Sequence, residues 1–122
     1  MMIHISDKGR YLLYSSICDM RKSFHGLAAI VKYQMGCDVL SGDIYIFISK
    51  RRNAIKLLRF EGDGFAIFYK RLQKGTFEIP AHNNQSGAMM ICDNELIFIL
   101  KGVALKKIKY RPRYSHNEAD CE

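Results

Sequence analysis

A chain of 122 residues, 48% hydrophobic and 25% charged, has the size and composition of one globular domain with its own core, which sets aside the disordered and the disulfide-stapled classes. Its 19 Lys+Arg against 12 Asp+Glu leave a net charge of +7, an excess that favours an anionic partner, nucleic acid ahead of membrane. The four cysteines (Cys18, Cys37, Cys92 and Cys121) form no CxxC and have no histidine at finger spacing, so neither a zinc site nor a disulfide framework is expected, and no cofactor.

The N-terminus lacks an apolar leader and no run nears membrane-spanning length, so the cytoplasm is the expected location. Residues 10–16 (RYLLYSS) read as a strand after the Asp7-Lys8-Gly9 turn, with residues 3–6 pairing weakly across that turn. The period then changes. Met20, Phe24, Leu27, Ala28 and Val31 fall at the spacing of one helix face, with Asp19 as N-cap and Gly36 as stop. Gly26 inside this helix costs about 1 kcal/mol relative to Ala, which a close helix–sheet approach would explain. Arg21 and Lys22 occupy the first turn, where the helix dipole disfavours cations; they point to a phosphate contact, to an ion pair with Asp19 or Asp43, or simply to solvent.

The chain is organised around residues 43–71. Three apolar runs (43–49, 54–60 and 65–71), rich in Ile, Phe and Tyr, are joined by Lys50-Arg51-Arg52-Asn53 and Glu61-Gly62-Asp63-Gly64, which predicts an antiparallel three-stranded meander. If Ser49 faces Ala54 and Glu61 faces Gly64, one face collects Ile44, Ile46, Ile48, Ile55, Leu57, Arg59, Ala66, Phe68 and Lys70. The other collects Tyr45, Phe47, Lys56, Leu58, Phe60, Phe65, Ile67, Tyr69 and Arg71. Both faces are largely apolar, so both need covering. Lys56, Lys70 and Arg71 fall at the end of the sheet that carries the Lys50-Arg51-Arg52 turn, with Lys74 just beyond and Tyr69 close by: a cationic end with an aromatic.

Residues 72–80 hold a Lys74-Gly75 turn and a short strand at 76–79 stopped by Pro80; 81–87 reads as a loop, and 89–91 as a brief strand. The apolar run 96–100 fits helix or strand. Helix over 93–101 is chosen because Cys92 or Asp93 can cap it, Glu95 sits in its first turn and Lys101-Gly102 closes it. Lys106, Lys107, Lys109, Arg111 and Arg113 then alternate with Ile108, Tyr110 and Pro112. The prediction is a small α+β domain over residues 1–105: an antiparallel sheet, the central meander plus an N-terminal strand, packed with two helices. A flexible tail, basic then polar, fills 106–122.

Metal-ligand clusters, P-loop glycines, dinucleotide fingerprints and the Gly-x-Ser-x-Gly turn are all missing from the sequence. The carboxylates sit mostly at turns and caps, where Asp and Glu have local structural roles, so no catalytic residue is assigned and no enzyme is expected.

The succession Asp19-Met20-Arg21-Lys22-Ser23-Phe24-His25-Gly26-Leu27, Ser41-Gly42-Asp43, Lys50-Arg51-Arg52, Ile55-Lys56-Leu57-Leu58, Glu61-Gly62-Asp63-Gly64-Phe65, Tyr69-Lys70-Arg71-Leu72, Gly75-Thr76-Phe77, Pro80 and Leu100-Lys101-Gly102 resembles the small Orf2 (TnpB) accessory proteins of IS66-type insertion sequences. His25 departs from the acidic residue usual in that family, and Phe60 and Ile79 stand where tryptophan is common. The resemblance implies a protein encoded beside a separate, larger transposase that carries the catalytic acids, and a supporting role in transposition.

DNA contact is inferred from the charge. The leading expectation is a non-catalytic accessory factor that contacts DNA phosphates at the insertion-sequence ends through Arg21, Lys22, Lys50, Arg51, Arg52, Lys56, Lys70, Arg71 and Lys74. The alternative is a module that docks on the transposase through residues 96–100 and the second sheet face without touching DNA. A nuclease using Asp43 or Asp63 is a third reading. Oligomeric state is left open.

Overall fold

The computed structural model describes residues 9–80 and 87–101. In chain order the elements are β1 (Tyr11–Ile17), α1 (Phe24–Ala29), β2 (Ile44–Ile48), β3 (Ala54–Phe60), β4 (Phe65–Arg71), β5 (Ala88–Ile91) and α2 (Asp93–Lys101). The strands form one five-stranded sheet in the order β4-β3-β2-β1-β5.

The sheet is mixed rather than antiparallel, which corrects the expected meander plus N-terminal strand. β1 joins β2 in parallel, with Tyr11 opposite Ile44 and Leu13 opposite Ile46, while β2–β3, β3–β4 and β1–β5 are antiparallel. The physical reason is the crossover. A parallel neighbour needs a long connection, and the segment holding α1 between β1 and β2 supplies one. β5 then closes the other side of β1, with Tyr11 opposite Ile91.

Within 43–71 the turns set the register as expected. The Ser49 N–H donates to the Ala54 carbonyl at 3.0 Å and the Glu61 N–H to the Gly64 carbonyl at 2.8 Å. Ile48 then faces Ile55, Leu57 faces Phe68 and Lys56 faces Tyr69, which puts the two predicted residue sets on opposite faces. Both faces are covered. Ile44, Ile46, Ile48, Ile55 and Leu57 pack with Leu96 and Ile99 of α2, and with Phe77. Tyr45, Phe47 and Leu58 pack with Leu27, Val31 and Met35 from the α1 side. Leu96 and Ile99 of the 96–100 run are fully buried inside this chain, while Ile97, Phe98 and Leu100 are half-buried.

The first helix starts later than its periodicity suggests. Asp19 does not cap it. Asp19 instead closes a tight turn, accepting from the Lys22 N–H on its carbonyl and from the Arg21 N–H on its carboxylate, and the helix begins at Phe24 after Ser23. α1 then runs on as a π-helical turn, Ile30–Gln34, that ends at Gly36 with φ of 67°, the stop read from the sequence. Gly26 answers to no sheet approach: the space its side chain would take is filled by the aliphatic stem of Lys22. Residues 76–79 form no strand. Phe77 is instead held by its N–H on the Arg52 carbonyl at 2.7 Å.

α2 covers the predicted 93–101, with the Cys92 N–H donating to Glu95 Oε1 at 3.1 Å, one half of a capping box. The expected pairing at 3–6, the loop at 81–86 and the tail from 106 lie outside the described residues. No helix among the described residues is long and apolar enough to cross a membrane.

Candidate nucleic-acid interface

One end of the sheet carries an open depression of about 920 Å³. Its walls are the end of β1 (Ile17, Cys18), the Asp19–Arg21 turn, the β2–β3 hairpin (Ser49, Lys50, Arg51, Asn53, Ala54), and Tyr69 and Arg71 of β4. A bulge in β1 shapes it. Between Leu13 and Ile17, β1 advances four residues while β2 advances two from Ile46 to Ile48, and on its other side the Ser15 N–H continues the β1–β5 ladder on the Gly87 carbonyl. The bulge leaves Ile17 exposed at the rim, while the Cys18 N–H returns to the Ile48 carbonyl at 2.9 Å.

The hairpin is cross-braced. Ser49 Oγ donates to Asn53 Oδ1 at 3.2 Å and accepts from the Ala54 N–H at 3.1 Å. The Arg52 N–H donates to the Ser49 carbonyl, and Arg52 takes φ of 59°, a left-handed conformation that Gly or Asn adopts more easily. Lys50, Arg51 and Arg52 therefore project from a rigid turn into solvent.

Of the nine predicted contact residues, four line the depression: Arg21, Lys50, Arg51 and Arg71. Lys56 stands beside it. Its ammonium donates to the Lys22 carbonyl at 2.7 Å and lies 5.4 Å from the centroid of the Tyr69 ring, a cation–π contact that fixes the ring. Arg52, Lys74 and Lys22 are exposed. The segment carrying Lys74 is tied to the hairpin by Leu72 N–H on the Asn53 carbonyl and Phe77 N–H on the Arg52 carbonyl. Lys70 is elsewhere: it faces the α2 side and donates to the Leu100 carbonyl at 2.8 Å, a cation closing a helix C-terminus.

One carboxylate enters the same space. Asp19 pairs with Arg21 at 2.8 Å, and the side-chain and backbone hydrogen bonds from Arg21 hold its carboxyl down at about 2. Four cations against this single carboxylate leave the depression positive. Burial pushes the Cys18 thiol up, against the pull of Lys22 and Lys56, so it is not a thiolate there.

Of the two candidate catalytic carboxylates, Asp43 is buried and accepts from the Arg10 N–H and guanidinium and from Ser41 Oγ, and Asp63 is exposed in the β3–β4 turn. Among the described residues no three His, Cys, Asp or Glu side chains converge. Sequence reasoning missed Asn53 and the bulged end of β1 as parts of the site. Asn53 was legible as a turn residue, but nothing in the sequence marks the bulge.

Residues 9–110 match a family model described as IS66 Orf2 like protein. Two curated proteins of Sinorhizobium fredii are similar to the chain. Uncharacterized protein y4jC is 26% identical over 103 residues, 84% of this chain and 86% of that protein. Uncharacterized protein y4hO is 31% identical over 85 residues, 70% of this chain and 72% of that protein. No solved structure matches.

Proposed function

The chain belongs to the IS66 Orf2-like family, whose members are accessory proteins of IS66 transposition rather than known catalytic enzymes, and we propose that it serves that process by holding DNA through its cationic depression. The observation that carries the reading is the convergence of Arg21, Lys50, Arg51 and Arg71, drawn from three separate segments, around one exposed tyrosine. Surface cations with only a solubilising role have no reason to meet from such distant parts of the chain. Phosphate contact also accounts for Arg52 in a left-handed turn: a backbone conformation that disfavours arginine is kept where the cationic turn serves a ligand.

In this reading the chain supplies no chemistry. Guanidinium and ammonium groups neutralise phosphates and release counterions, and the acids that cut and join strands belong to a separate transposase, the second partner. The test is retention of insertion-sequence-end DNA by the purified chain, beside capture of the transposase with and without nuclease. Retention of DNA by the chain alone supports the reading. Capture of transposase that survives nuclease, with no DNA retained by the isolated chain, replaces it with protein docking.

A further inference from the structure

We infer that the depression takes an unpaired base, stacked on Tyr69, so that the preferred ligand is single-stranded DNA, such as a frayed or displaced strand, rather than intact duplex. The inference rests on the phosphate-binding reading and names its substrate class. Three observations carry it. Tyr69, on the edge strand β4, is 48% exposed and lines the depression. Its ring is held rather than loose, because Lys56 lies over it and is itself anchored on the Lys22 carbonyl, a strand-to-turn tie across the site. The surrounding space is concave and about 920 Å³, within the roughly 300–1,000 Å³ range of clefts that enclose small molecules.

Duplex DNA explains the cations but not the aromatic. Its bases are stacked inside the helix, and its backbone offers phosphates to the cations, leaving the aromatic that lines the same depression no base to touch. An unpaired strand explains both: cations track the backbone while a base lies on the ring, and stacking tolerates any base because every base has a flat π-face.

The experiment is titration of labelled single-stranded DNA, the matching duplex, an oligonucleotide with abasic sites, and a matching RNA, against the native chain, Tyr69→Ala and Tyr69→Phe. The native chain is expected to bind the single strand more tightly than the duplex or the abasic strand. Tyr69→Ala should weaken single-strand binding about 5- to 150-fold with the salt dependence unchanged, while Tyr69→Phe, which keeps the π-face, binds as the native chain does.

Because the sequence has no tryptophan, Tyr69→Trp places a single reporter in the site, whose fluorescence should be quenched by the single strand and not by the duplex. Single-strand binding that ignores Tyr69→Ala, or an unquenched reporter, overturns the stacking inference and leaves phosphate binding standing. Preference for RNA overturns the assignment to DNA. Failure of the native chain to bind any of these overturns the reading beneath it as well.

Discussion

Asp43 holds Arg10 at both ends: Oδ1 accepts from the Arg10 backbone N–H at 2.8 Å, and Oδ2 accepts from its guanidinium at 2.9 and 3.1 Å. This clamp joins the starts of the two parallel strands, and the Ile44 N–H on the Arg10 carbonyl extends it into the ladder. Ser41 Oγ also donates to Asp43, and Tyr45 Oη donates to the Asp38 carbonyl 2.8 Å away, so the β2 entry is a satisfied polar network. Burial raises the Asp43 carboxyl, but the hydrogen bonds from Arg10 and Ser41 outweigh it and hold the group below the usual carboxylate range.

Asp43→Asn should therefore cost about 2 kcal/mol at neutral pH, since hydrogen bonds to a charged partner are lost in a largely buried site. A depressed folded pKa adds stability above the unfolded value of about 3.9, and that stability is lost as pH falls through the lower folded value. Denaturant melts across pH should show the native chain losing stability below about pH 4 and the gap to Asp43→Asn narrowing there.

The turn into β5 presses on the helical layer. Gly87 has φ of 86°, and a Cβ there would run into the Gln34 carbonyl at the end of the π turn. Gly36, with φ of 67°, has open space where its Cβ would lie. Gly36→Ala should cost about 1 kcal/mol, the left-handed penalty alone, and Gly87→Ala about 2 kcal/mol or more. Urea denaturation of the two variants side by side checks the order.

Asp19 is the negative charge inside the depression, and it stays ionised down to about pH 2. Asp19→Asn should tighten DNA binding and steepen its salt dependence by up to about 1, because Arg21, 91% exposed along its side chain, is then released to phosphate. Titrations at several salt concentrations read both effects.

The basic residues beyond 105 are expected to add phosphate contacts. Replacing Lys106, Lys107, Lys109, Arg111 and Arg113 with Gln should flatten the salt dependence of DNA binding while thermal melting stays unchanged.

The residues that the sequence assigned well are those whose structure is local. Ser49–Ala54 and Glu61–Gly64 closed as read because a hairpin's register follows from its turn, and α2 formed over 93–101 because Glu95 could reach back to the Cys92 N–H. Long-range choices were harder. The parallel pairing of β1 with β2 depends on where a crossover lands, although the helix lying between two strands was the available signal. Asp19 resembles an N-cap in any window, and only the geometry of the turn it closes with Arg21 and Lys22 shows otherwise. Strand alternation already put Lys70 and Arg71 on opposite faces in the sequence, but their shared charge drew both into the contact set. Lys70 goes to the Leu100 carbonyl and only Arg71 to the depression.

That split gives the most direct test of the central claim. The salt dependence of DNA binding is measured for the native chain, for the Arg51→Ala, Arg71→Ala double variant, and for Lys70→Ala. Phosphate contact in the depression predicts that the double variant lowers the slope of log affinity against log salt by about 2, one per lost contact, while Lys70→Ala leaves slope and affinity unchanged and costs only stability. An unchanged slope and affinity in the double variant would contradict it.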